Sequence, residues 1–235
     1  MSTDWSGYVL LLVVSLALVV SGGKRQPGIG ILFALAAIGL LAWGKGLRLA
    51  SFGIYPLTDM LRTVLLGLLS GVMISLVGNL LIEPLANRLT NSTIDLGLFD
   101  PLRGNLKLLL VALVGVWLTV PLIEELIFRG YLMMQLEAIL GDSHAARLLN
   151  LVYTSLIFGL AHWYQGKSGA LSTGLLGTLL GLLMICSGFN LWLPMLAHGF
   201  IDTLGLILIY LNADRILKVK WSDRLWKRRS RDEVN

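Results

Sequence analysis

Charge is what this chain has least of. Only 14% of its 235 residues are Asp, Glu, Lys or Arg, against about 25% in soluble domains. Cysteine is nearly missing as well. Cys186 stands alone, which excludes a disulfide framework within one chain and any cysteine-rich metal site. Its place in an apolar block predicts a small buried side chain. There is no HExxH pair, so the helical zinc-protease signature is missing too. No internal repeat and no low-complexity linker divides the chain. No basic region precedes the first apolar block, and Lys24-Arg25 follow it. That order predicts a retained first helix rather than a cleaved signal peptide.

What the chain does have is long apolar runs. Hydrophobic residues make up 56% of it, in blocks rather than in alternation. Roughly 20 apolar residues cross a hydrocarbon core of about 30 Å. Charge-free stretches at Trp5–Gly23, Gln26–Gly44, Thr63–Ile82, Leu108–Ile123 and Leu148–Gly166 predict five crossings, the fourth running on into the glutamates. Between Ser168 and Ala213 the only formal charge is Asp202, and a break near Ser187-Gly188-Phe189-Asn190 predicts two more. The expected fold is all-α, a polytopic bundle of about seven to eight membrane helices. Glu83 to Arg103 reads as the longest polar connection, with Asn91-Ser-Thr93 in it as an ordinary turn.

The net charge of +5 is unevenly placed. From Arg215 to Asn235 there are eight basic and three acidic residues, punctuated by Trp221 and Trp226. Basic residues outside a last span favour the cytoplasmic side, where they meet anionic lipid. The expected partner of this tail is therefore membrane lipid and not nucleic acid. Lys24-Arg25 and Lys45, Arg48 and Arg62 lie on consecutive loops, which simple crossings place on opposite faces, so they leave the N-terminal side open. The chain divides into scaffold helices at 1–103, a working helical core at 104–213 and a basic tail at 214–235. The protein is expected to be an integral, multi-pass membrane protein, in the plasma membrane if bacterial.

Ionisable residues inside spans are costly and usually face a bundle interior or a wet cavity. Three groups stand out: Glu124, Glu125 and Arg129 in "PLIEELIFRG"; His162 in "FGLAHW"; His198 and Asp202 in "LAHGFID". Glu125 and Arg129 are four apart, with the acid on the N-terminal side, so they can pair. Glu124 is turned by about 100° and points elsewhere. His198 and Asp202 also share a face, and Phe158 lies one turn before His162. Pro121 and Pro194, three and four residues before their groups, predict kinks that widen a cavity. Each group alone reads more simply as a structural hydrogen bonder or a lock. A carboxylate pair and two histidines on three separate spans read together as a site. His144 follows Ser143, which can cap the next helix, and takes no part. Gly174, Gly177 and Gly181 are spaced for close helix packing.

Two chemistries fit these residues. A glutamate in a water-poor pocket can act as general base on a water shared with a histidine, while a second histidine donates to the oxyanion. Alternatively, two histidines and a carboxylate, Glu124, His162 and His198, can hold Zn²⁺.

"EELIFR", "FGLAH" and "HGFID", in that order, resemble the EExxxR, FxxxH and HxxxN/D motifs of the CPBP family. That family comprises type II CAAX prenyl proteases, the Ras-converting endopeptidase and bacterial Abi proteins. The resemblance runs from about residue 105 to 210. It implies an intramembrane endopeptidase that cuts a peptide bond near the membrane surface in a hydrophobic or lipidated polypeptide. It implies Glu124 and His162 as the water-activating pair, His198 and Asp202 as the oxyanion side, and Glu125 and Arg129 as structural support. It also implies a glutamate mechanism with no cofactor. Asp202 departs from the family pattern, where Asn is frequent; an ionised Asp has no proton to donate, so orienting His198 suits it better. The rival readings are the Zn²⁺ version of the same protease and a non-catalytic scaffold or transporter.

Overall fold

The computed structural model describes residues 5–214, with the side chains of Trp5 and Ser6 left aside. The basic tail read from the sequence lies outside the described residues. The described chain is helical throughout, without strands. Helix α1 covers Trp5–Gly23 and α2 Pro27–Lys45; α3 (Met60–Val77) runs through a π turn at Gly78–Ile82 into α4 (Glu83–Thr90). Then follow α5 (Leu106–Leu118), α6 (Val120–Glu125), a π segment at Leu126–Met133 and α7 (Met134–Leu140). Helix α8 covers His144–Ala161, α9 Gly166–Cys186 and α10 Trp192–Tyr210.

The helical runs are thus 5–23, 27–45, 60–90, 106–140, 144–161, 163–186 and 192–210. Five of them, including Met60–Thr90 and Leu106–Leu140, are long and apolar enough to cross a membrane. Helix α8 is more polar, carrying His144 and Arg147 in its first turn and Asn150, Thr154 and Ser155 buried in the bundle. The sequence break between the last two spans is present, with Gly188 and Phe189 in left-handed backbone.

One boundary differs from expectation. The third run does not stop at Ile82. It continues to Thr90, so Glu83 is a half-buried residue within a helix rather than the start of a loop. Ala86 stays buried while Arg88 faces out, so the helix continues as an amphipathic segment. Asn91, in left-handed backbone, then closes α4 as a turn. The fourth run continues through the glutamates as expected, with Glu124 and Glu125 buried in the bundle, and extends to Leu140. Cys186, expected inside, is exposed at the end of α9.

Connections gather at two ends. At one end Arg25 pairs with Asp95 at 3.6 Å, the Asp95 amide donates to the Gln165 carbonyl at 2.9 Å, and Gly104 donates to Tyr210 at 3.0 Å. There Arg103 clamps Asp214 through both guanidinium nitrogens, at 2.8 and 3.0 Å, and Asp100 at 2.8 Å. These hydrogen bonds, Asp214's foremost, hold Arg103 above its ordinary pKa. At the opposite end Leu191 donates to the Gly53 carbonyl at 2.8 Å, and the Trp192 indole to Tyr55 at 2.8 Å. Lys24-Arg25 and the Lys45–Arg48 connection therefore sit at opposite ends.

Small residues bring the site helices together. Gly67 and Gly71, one turn apart on α3, admit Leu196, Ala197 and Phe200 of α10; a Cβ on Gly71 would stand 2.7 Å from the Ala197 carbonyl oxygen. Gly159 of α8 and Gly174 of α9 do the same for their pair. Without a hydrophobic drive between helices in lipid, such close backbone approach is a main source of packing energy. Helix α10 is thereby wedged between α3, α5 and α9.

Candidate active site

Each polar side chain has a local reason to be where it is. Thr119 leaves helical backbone (φ −134°, ψ −65°), and Pro121 takes one of the first two positions of the new helix α6, where its missing N–H costs nothing. The interruption expected from Pro121 is present there. Pro194 is different. It lies in the first turn of α10, so it kinks nothing, contrary to the sequence reading. The π segment at Leu126–Met133 follows the glutamates directly. Such widened turns are frequent at functional sites and free a carbonyl from the ladder. Here the Asn150 amide, fully buried on α8, donates to the Met133 carbonyl at 2.9 Å.

Glu125 and Arg129 pair at 2.7 Å with side chains 0% and 2% exposed. The same guanidinium donates to the Gly177 carbonyl of α9 at 2.8 Å and lies 4.6 Å from the centre of the Phe158 ring. Phe158 is the hub on α8. Its ring meets Phe128 edge-on at 4.8 Å, His162 at 4.7 Å and His198 at 6.1 Å. Its carbonyl accepts from His162 Nδ1 at 2.8 Å. His162 is the residue that ends α8 rather than one inside it, so its ring folds back under the last turn.

His198 Nδ1 donates to Glu125 Oε1 at 2.8 Å, in the buried interior. The sequence reading assigned Glu125 to Arg129 alone; the carboxylate serves both. The orienting hydrogen bond on His198 thus comes from Glu125. Asp202 Oδ1 stands 3.6 Å from His198 Nε2, too far for a direct hydrogen bond. Asp202 is half-buried, on the same face of α10 as expected.

With both Nδ1 atoms donating elsewhere, both Nε2 atoms turn toward Glu124. Glu124 Oε2 lies 3.8 Å from His162 Nε2 and 4.0 Å from His198 Nε2. These gaps exceed a hydrogen bond and suit a bridging water at about 2.8 Å from each atom. Beside this point is a cavity of about 70 Å³, lined by Glu124, Phe128, Ala161, His162 and Tyr164 together with Leu18, Ser21, Pro27 and Ile31 of the first two helices. That is room enough for ordered water, which needs only about 10–15 Å³. Four of the nine lining residues therefore come from α1 and α2, which the sequence marks only as scaffold. No polar pattern in α1 or α2 announces this.

Among the described residues no group of three or more His, Cys, Asp or Glu is spaced to hold a metal ion. His144 heads α8 under the Ser143 cap, which accepts from Ala146, and it is outside the site.

Gly177 ties the packing to the chemistry. A Cβ there would come within 2.8 Å of Phe158 Cδ1 and 3.3 Å of an Arg129 guanidinium nitrogen. Gly177→Ala is expected to cost about 1–3 kcal/mol, the range for overpacking. Gly205→Ala, with nothing within 4 Å, is expected to cost little. Thermal unfolding in detergent checks both.

Glu124 thus faces two oriented imidazoles inside a bundle that includes helices long and apolar enough to cross a membrane. Residues 106–204 match the family model for type II CAAX prenyl endopeptidases, Rce1-like. The matched segment contains Glu124, Glu125, Arg129, Phe158, His162, His198 and Asp202. No curated protein and no solved structure matches the chain.

Proposed function

We propose that the protein is an intramembrane endopeptidase that hydrolyses a peptide bond near the membrane surface by direct attack of water. The observation that carries this reading is the position of Glu124 Oε2, 3.8 and 4.0 Å from the two imidazole Nε2 atoms. Glu124 takes a proton from the water while His162 Nε2 accepts the hydrogen bond of the other proton. The resulting hydroxide adds to the scissile carbonyl carbon. His198, protonated on both nitrogens as an imidazolium between Glu125 and Asp202, donates from Nδ1 to Glu125 and from Nε2 to the oxyanion. When the tetrahedral species collapses, the C–N bond breaks and Glu124 returns its proton to the leaving amine. The substrate is a hydrophobic or lipidated polypeptide, brought to the site by its own membrane affinity.

The test is a comparison of newly formed protein C-termini in cells carrying the parent or Glu124→Gln at equal membrane levels. Cleaved termini present only with the parent are expected; identical sets refute the proposal. Activity of the purified protein is expected to survive a metal chelator. Loss that added Zn²⁺ restores assigns the chemistry to a bound metal instead.

A further inference from the structure

The cavity beside Glu124 has a polar wall that the water-activating scheme does not use. Tyr164 lies in the short turn Trp163–Gln165 between α8 and α9, two residues after His162. Its ring centre is 5.7 Å from that of His162, and its side chain lines the same cavity as Glu124. The phenol oxygen accepts from the Gln165 amide at 3.2 Å. Gln165 is itself fixed: its side-chain oxygen accepts from Thr173 at 3.5 Å, and its backbone carbonyl accepts from Asp95 at 2.9 Å. A tyrosine hydroxyl has one proton to donate. With the oxygen engaged as acceptor, that proton is left for the cavity. The rest of the wall is Leu18, Pro27, Ile31, Phe128 and Ala161, which offer no donor from their side chains, and Ser21, whose hydroxyl donates to the Leu18 carbonyl at 3.0 Å. A peptide entering beside Glu124 buries backbone carbonyls that need a donor, and Tyr164 is the one placed to supply it.

We infer that Tyr164 is a substrate-binding residue, whose hydroxyl donates to a backbone carbonyl of the polypeptide next to the scissile bond. The inference rests on the proposed proteolysis and adds the group that holds the peptide. The carbonyl concerned does not change charge during the reaction, so the bond is equally strong before and in the transition state. Losing it raises KM and leaves kcat alone.

The test uses the full-length protein in lipid vesicles and a peptide copied from the most strongly cleaved site found in cells. Tyr164→Phe keeps the ring and removes only the hydroxyl. KM is expected to rise about five- to tenfold, the usual loss for one neutral hydrogen bond, with kcat within about twofold and an unchanged melting temperature. A purely structural role for Tyr164 moves the melting temperature and not this split. A KM within about twofold of the parent, in a series where Glu124→Gln is inactive, overturns the inference and leaves the proteolytic reading standing. An active Glu124→Gln, or no cleaved site in cells, overturns both.

Discussion

Glu124→Gln is expected to abolish turnover while leaving the fold intact. The amide has the size of the carboxylate and fits the same 3.8 and 4.0 Å surroundings. It cannot take a proton from water. Removing a general base costs typically about 10²–10⁴-fold, and here the same group also returns the proton to the leaving amine. Membrane yield and melting temperature are expected to match the parent, because Glu124 makes no direct hydrogen bond that holds two helices together. Under a scaffold or transporter reading the same variant keeps its function. Turnover above about a tenth of the parent rate removes Glu124 from the chemistry.

Arg129→Ala is expected to give the largest loss of stability. It leaves Glu125, 0% exposed, as a buried charge without its cation. Breaking a buried pair on one side costs about 3–5 kcal/mol. Two further contacts disappear with the guanidinium, the hydrogen bond to Gly177 and the stacking on Phe158. A fall in melting temperature on the order of 10 °C follows for a chain of this size, and activity falls with it because Glu125 also holds His198. Arg129→Lys keeps the charge but loses the planar fork that serves Glu125 and Gly177 together, so an intermediate loss is expected. An Arg129→Ala protein that melts with the parent means that the pair contributes nothing to the fold.

Both variants were nameable from the sequence, and the reason is physical. Charge inside lipid is so costly that residues such as Glu124, His162 and Asp202 are visible simply by being there. Helical spacing then fixes which neighbours share a face, as Glu125 and Arg129 do at one turn. The same simplicity misleads at boundaries. Glu83 looks like the end of a span, but a helix can leave the bilayer and continue. Pro194 looks like a kink, but it stands in a first turn where no hydrogen bond is lost.

From composition and local spacing alone come the membrane bundle, the order of its helices, the Glu125–Arg129 pair and the candidate site residues, because each depends on the chain's neighbours within one turn or on the cost of transfer into lipid. Only the tertiary structure decided that Glu125 also orients His198, 73 positions away, that Phe158 joins three of the groups, and that α1 and α2 close the cavity around Glu124. These are contacts between distant helices, set by where small residues such as Gly71, Gly159 and Gly177 let backbones touch. Hydropathy carries no record of which helix lies beside which.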